Sequence, residues 1–225
     1  MKLSRVVIHL RLNIVPFIEV NNLFILSPPP LPSECTNNAD IVFVLDASGS
    51  VRQENFVKMK DFVKQMVDSI NVDRLGSNLA MVTFSDNARI DFPLNAYNNR
   101  VDMIRAIDDV AYTRGTTNTA SALRLVRQQV FRRQGGDRPD LRNIVVLMTD
   151  GGSNDFAETL KEARLAREAG ITIVTVGIKH WVNMVEIREI ASDPDDRNVF
   201  SIESFDLIIR IQNDVKAIIC NRKYQ

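Results

Sequence analysis

The sequence predicts an α/β domain: a doubly wound, mainly parallel six-stranded sheet with one antiparallel edge strand and helices on both faces. Three observations lead there. From Asp40 onward, short apolar runs rich in β-branched residues alternate with stretches of helical period. The runs are apolar at consecutive positions, as expected of parallel strands buried on both faces. One pair of runs is joined by a turn too short for a crossover, which forces an antiparallel hairpin.

The first run, IVFVL (41–45), reads as a buried strand. Phe56, Met59, Val63, Met66, Val67 and Ile70 then recur at helical spacing and predict a long amphipathic helix. LAMVTF (79–84) and ARIDF (88–92), separated by SDN, are the hairpin. Val101, Ile104, Ile107 and Val110 mark a second helix; Ala122, Leu125, Val126 and Val130 mark a third, ended by QGGDRP (134–139). NIVVLM (143–148) is the next strand, followed by a helix near 156–169 that stops at Gly170. ITIVTVGI (171–178), a short helix VNMVEIREIA (182–191), a strand NVFSI (198–202) and a last helix from Phe205 to Cys220 complete the order. Phe205, Ile208, Ile211, Val215 and Ile218 form the apolar face of that last helix. The arrangement is Rossmann-like, and in open sheets of this kind ligands bind beyond the carboxyl ends of the strands.

Composition narrows the function. Lys+Arg and Asp+Glu both number 28, so no global charge draws the chain to nucleic acid or to an anionic membrane. In the first 34 residues Arg5, Arg11 and Glu19 interrupt the apolar stretches, leaving no clean signal segment and no membrane span of about 20 residues. SPPPLPS (27–33) reads as an extended linker. Residues 1–34 are therefore expected to be a poorly ordered leader and Pro-rich linker, 35–220 the domain, and 221–225 a tail.

The two cysteines, Cys35 and Cys220, bracket the folded region. They are either two unrelated thiols or a disulfide joining the domain's ends, which in compact domains tend to lie close together. Closing so long a loop would stabilise by about 5 kcal/mol in the chain-entropy model, and such a bond persists outside the cytosol. That alternative favours secretion.

Two strand runs deliver an aspartate at their exits. IVFVLD is followed by ASGS, placing Asp46, Ser48 and Ser50 on alternate positions of one turn; NIVVLMTD ends at Asp150. A carboxylate, two hydroxyls and a second carboxylate form a hard-oxygen set suited to Mg²⁺ or Mn²⁺. Each element has an ordinary structural alternative. Ser50 with Gln53 matches a capping box, Thr117 could cap the third helix, and Asp150 before Gly-Gly is a common turn.

DIVFVLDASGSV, RGTTNTASALRLV and VVLMTDGGS, in this order and spacing, resemble the von Willebrand factor type A domain with its metal-ion-dependent adhesion site, and ASDPDDRNVFSIESFDLI (191–208) is similar to matrilin-type and collagen-VI-type modules. The resemblance runs from about Cys35 to Cys220. It implies that Asp46, Ser48, Ser50, Thr117 and Asp150 hold Mg²⁺ or Mn²⁺, some directly and some through water. It implies an extracellular, secreted adhesion module that captures a carboxylate of a matrix protein or collagen. Such modules also occur within larger multidomain chains. Arg114 and Ala120 stand where many relatives have glycine, which should alter the rim. Lys179, His180 and Trp181 follow the ITIVTVGI strand on the metal face, where small residues or an acid are usual. Arg114, His180 and Trp181 are the candidate ligand rim.

Enzymatic alternatives lack their signatures. There is no P-loop, no G-x-S-x-G elbow and no G-x-G-x-x-G after the first strand, and the histidines are His9 and His180. No catalysis is expected. The main rival is an intracellular type A domain acting as a metal-dependent scaffold in a multiprotein complex, against which the cysteine pair argues.

Overall fold

The computed structural model describes residues 37–72, 75–179 and 182–220. The chain divides into two units, Met1–Ser33 and Glu34–Gln225, and the described residues all belong to the second. The expected leader (1–34) and tail (221–225) lie outside them.

Six strands form one sheet in the order β3-β2-β1-β4-β5-β6. They are β1 (Ala39–Asp46), β2 (Asn78–Phe84), β3 (Ala88–Phe92), β4 (Arg142–Thr149), β5 (Ile171–Ile178) and β6 (Val199–Ile202). Every neighbouring pair is parallel except β2 with β3, the hairpin at one edge. The order reverses between β1 and β4, so their carboxyl ends open the crevice where sheets of this type bind ligands.

Side chains of a strand alternate between faces, and both faces here are covered. Ile41, Phe43 and Leu45 of β1 pack with helix α1 (Gln53–Ser69), helix α2 (Arg100–Asp109) and the final helical segment. Val42 and Val44 point the other way, to helix α3 (Thr119–Leu125), helix α4 (Phe156–Glu168) and helix α5 (Met184–Ile190). Phe43, Phe56 and Phe62 are fully buried on the first side, where truncating one to alanine typically costs about 3–5 kcal/mol.

Four elements differ from expectation. The third helix does not run to Val130 as an α-helix: α3 ends at Leu125, and Val126–Val130 widens into a π-helical turn closed by Phe131 N–H donating to Val126 O (3.0 Å). The extra residue per turn carries Phe131 round to the buried side beside Val126 and Val130. A short helix α6 (Asp195–Asn198) precedes β6, where only strand was expected. Val110 caps α2 rather than extending it.

The last helix begins as a 3-10 segment, Phe205–Ile211, and becomes α-helical in α7 (Gln212–Cys220). Phe205, Ile208 and Ile211 recur every three residues, which matches three residues per turn. Val215 then follows at a spacing of four. The next buried residue is Ile219 rather than the expected Ile218, which is only partly covered.

Candidate functional site

The site is built by the sheet's register. Leu45 of β1 pairs with Met148 of β4, so Asp46 and Thr149 are adjacent at the two strand ends. The Thr149 hydroxyl donates to Asp46 Oδ2 (2.6 Å), and the Ser48 N–H donates to Asp46 Oδ1 (2.8 Å). Asp46 is fully buried, and burial pushes its carboxyl up from the ordinary 3.8 to about 6. The Ser48 and Thr149 bonds work against that rise, and the nearby Asp150 charge adds to it.

The turn after β1 then folds over the end of β4. Ser48 Oγ and Ser50 Oγ lie 3.1 Å apart, and Ser50 Oγ donates to Asp150 Oδ1 (2.7 Å). Asp150, also fully buried, gives its second oxygen to the Lys179 ammonium. Neither capping alternative is realised. Position 52, not Ser50, precedes α1 and makes no side-chain cap. Asn118, not Thr117, caps α3 by accepting from the Ser121 N–H (3.1 Å).

Thr117 is held by its backbone between the other loops. Its N–H donates to Asn154 Oδ1 (3.0 Å), and its carbonyl accepts from the Asn154 N–H (2.8 Å). Two residues earlier, the Gly115 carbonyl accepts from the Gly49 N–H (2.9 Å), tying this loop to the DASGS turn. Gly115 has φ +107, and a Cβ there would meet the Asp86 carboxylate at 2.8 Å, so only glycine fits. That carboxylate is held in turn by the Thr116 N–H (2.8 Å) and hydroxyl (2.7 Å). The Tyr112 hydroxyl donates to Ser48 O (2.8 Å), a further tie between the two loops.

Asp46, Ser48, Ser50 and Asp150 are thus brought together in one bonded chain, with Thr117 on the adjoining loop. The Ser48–Ser50 separation of 3.1 Å fits neighbouring ligands of an octahedral ion, which at metal–oxygen distances of 2.0–2.1 Å are about 3 Å apart. Among the described residues there is no group of three or more His, Cys, Asp or Glu side chains that could hold a metal; the oxygens gathered here belong to hydroxyls and carboxylates. That chemistry suits hard divalent cations.

Of the expected rim, Arg114 is exposed with φ +61, a conformation uncommon for non-glycine residues. Ala120 is buried in α3 and does not reach the rim. His180 and Trp181 lie outside the described residues.

Three participants were not singled out from the sequence as partners of these residues. Thr149 holds Asp46. Glu186 of α5, buried, accepts the Ser153 N–H on both oxygens (3.1 and 3.2 Å) and so fixes the loop after Asp150. Lys179, just beyond β5, pairs with Asp150.

The model of the von Willebrand factor type A domain matches residues 40–214. The chain belongs to the von Willebrand factor type A family. This type A domain is 37% identical over 183 residues to the human collagen alpha-6(VI) chain, covering 81% of this chain and 8% of that one. It is 31% identical over 190 residues to chicken matrilin-3, covering 83% and 41%. The chain therefore spans less than half the length of either relative.

Among solved structures, the type A fold is shared with proximal thread matrix protein 1 from the mussel byssus, at TM-score 0.78 and 33% identity, covering 83% of this chain and 49% of that one. One structure of that protein has a zinc-occupied MIDAS motif. The manganese-loaded TRAP protein of Plasmodium vivax shows the same fold, at TM-score 0.66 and 20% identity, covering 80% of this chain and 74% of that one.

Proposed function

We propose that this type A domain is a non-enzymatic extracellular matrix module that captures an acidic residue of a protein ligand, collagen or another matrix protein, through a divalent cation. Asp46, Ser48, Ser50, Thr117 and Asp150 would hold the ion, Mg²⁺ or Mn²⁺. Bound there, the ion supplies a positive centre for a partner's carboxylate. The observation that carries the reading is the bonded chain Ser48–Ser50–Asp150 beside the buried Asp46, at the carboxyl ends of β1 and β4.

This chain's own residues explain how such a site would stay electrophilic. Three of its five donors are neutral hydroxyls, and one of its two carboxylates already shares its charge with Lys179. Little negative charge is left to saturate the ion, so it retains attraction for an outside carboxylate.

Extracellular placement rests on the collagen and matrilin relatives and on Cys220, which is disulfide-bonded. The chain has two cysteines, and Cys35 lies outside the described residues. Asn37 Nδ2 donates to the Cys220 carbonyl (2.6 Å), so the chain two residues after Cys35 reaches the end of α7. This supports a Cys35–Cys220 bond and weighs against an intracellular scaffold. Among the described residues no helix is long and apolar enough to cross a membrane.

The test is a binding screen of the domain against collagens and other matrix proteins in Mg²⁺ and again in EDTA, with Asp46→Ala alongside. Binding in Mg²⁺ that is lost in EDTA and in Asp46→Ala is the expected result. Binding unaffected by EDTA would reject the metal-mediated mode.

A further inference from the structure

We propose that Lys179 is a tethered cation that competes with the divalent ion for Asp150, and so sets how strongly this domain holds metal. The inference rests on the metal-binding reading of the site.

Lys179 is the first residue beyond β5. Thr149 pairs with Gly177, which sets Asp150 alongside the end of β5 and brings position 179 next to it. Its backbone is fixed there: the Lys179 N–H donates to Ile202 O (2.8 Å) at the end of β6, and φ is +83. A lysine held in the left-handed region persists only where its surroundings over-determine it.

The ammonium is equally constrained. Nζ donates to Ser50 O (2.9 Å), pairs with Asp150 Oδ2 and lies 5.4 Å from the Phe205 ring centroid. The Lys179 side chain is only 16% exposed, against a fully buried Asp150 carboxylate. Both residues that bind the ammonium through oxygen, Ser50 and Asp150, belong to the candidate ligand set. A positive charge therefore already stands on one of the two carboxylates that attract a divalent ion.

Two cations drawn to one carboxylate weaken each other. Like charges a few ångströms apart repel strongly in a site screened from water. Bonded to both Ser50 O and Asp150 Oδ2, the ammonium also holds these two residues in a set arrangement, so Lys179 supplies part of the order that an ion would otherwise impose. The site is consequently stable without metal and binds it with reduced affinity. This arrangement predicts opposite signs for two measurements, which a purely structural lysine would not produce.

The experiment is Mn²⁺ titration by calorimetry, with melting in EDTA and in saturating Mg²⁺, for wild type, Lys179→Met, Lys179→Gln, Lys179→Arg and Asp46→Ala. Both neutral variants should bind Mn²⁺ at least tenfold more tightly than wild type, a change of about 1.4 kcal/mol. Lys179→Arg, which keeps the charge, should stay within about threefold of wild type on the same scale. In EDTA the neutral variants should melt below wild type, because Asp150 is buried without its counter-charge, and Mg²⁺ should close that gap. Lys179→Gln retains amide donors for Ser50 O and Asp150, so it reports on charge if Lys179→Met folds poorly. Metal binding by a neutral variant alone would support the proposal in its strongest form. Wild-type binding that is lost in Asp46→Ala but unchanged or weaker in the neutral variants would overturn it and leave the site assignment intact. No binding by any form, neutral variants included, would overturn the site assignment itself.

Discussion

Arg138→Met should destabilise the domain by about 3–4 kcal/mol at pH 7 and by roughly 2 kcal/mol at pH 5. Asp40, near the start of β1, is fully buried. Arg138 supplies its backbone N–H (2.6 Å), Nε (2.8 Å) and Nη2 (2.6 Å) to that carboxylate, and also donates to Gly76 O (2.8 Å) and Ala39 O (3.2 Å). Burial raises the Asp40 carboxyl above its ordinary 3.8, and the Arg138 interactions oppose the rise. Without the guanidinium, desolvation acts with far less opposition. The loss has a ceiling, because the carboxyl then takes a proton instead of staying charged. From an unfolded value of 3.8, that ceiling is about 4.4 kcal/mol at pH 7 and about 1.6 kcal/mol at pH 5. The two carbonyls left without this donor add on the order of 1 kcal/mol, independent of pH. A raised folded pKa gives stability that is present below the unfolded value and lost as pH rises towards the folded one. The variant's deficit must therefore grow from pH 5 to pH 7. Urea denaturation of both proteins at pH 5, 6 and 7 measures it. A deficit below 1 kcal/mol at pH 7, or one flat with pH, would refute the reasoning.

Asp46→Asn should lower Mn²⁺ affinity at least a hundredfold, or about 2.7 kcal/mol, while melting in EDTA at or above wild type. The amide oxygen still accepts a bond and the buried charge is gone; unchanged affinity by calorimetry would count against the assignment. For Glu162, burial raises the carboxyl, but Arg127 (2.7 Å) and Arg124 (2.9 Å) outweigh it and leave the group below its ordinary 4.5. That contribution is present above 4.5 and lost as pH falls through the folded value, so Glu162→Gln should cost about 1–2 kcal/mol at pH 7 and progressively less as the pH is lowered below 4.5. Thermal melts across that range decide it.

The strand runs were legible because each strand of a doubly covered sheet must be apolar on both faces, and IVFVL or ITIVTVGI fit little else in an α/β pattern. Asp46 and Asp150 were legible for the same reason: a polar residue ending such a run marks the carboxyl edge. Helix interiors followed from periodicity, but their ends and widenings did not. The π turn at Val126–Val130 is driven by the burial of Phe131, a tertiary demand absent from a helical wheel. The 3-10 start of the last helix carries its own signal, the three-residue spacing of Phe205, Ile208 and Ile211.

Lys179 shows where local reading stops. Alone, a lysine after a strand is a solvated loop residue. Its pairing with Asp150 depends on β5 lying beside β4 in register, with Thr149 against Gly177. That adjacency follows from the crossover through α4, not from any residue near position 179. The same dependence explains Thr149, whose hydroxyl gains meaning only once β1 and β4 are neighbours. The loops of the site are cross-tied by backbone bonds from Gly49 to Gly115 and from Asn154 to Thr117. With the oxygen donors already positioned, little ordering is left for an ion to impose, and charge becomes the main variable of its affinity. Lys179, outside the candidate ligand set and carrying the charge that opposes Asp150 among the described residues, is then the natural place for that affinity to be tuned.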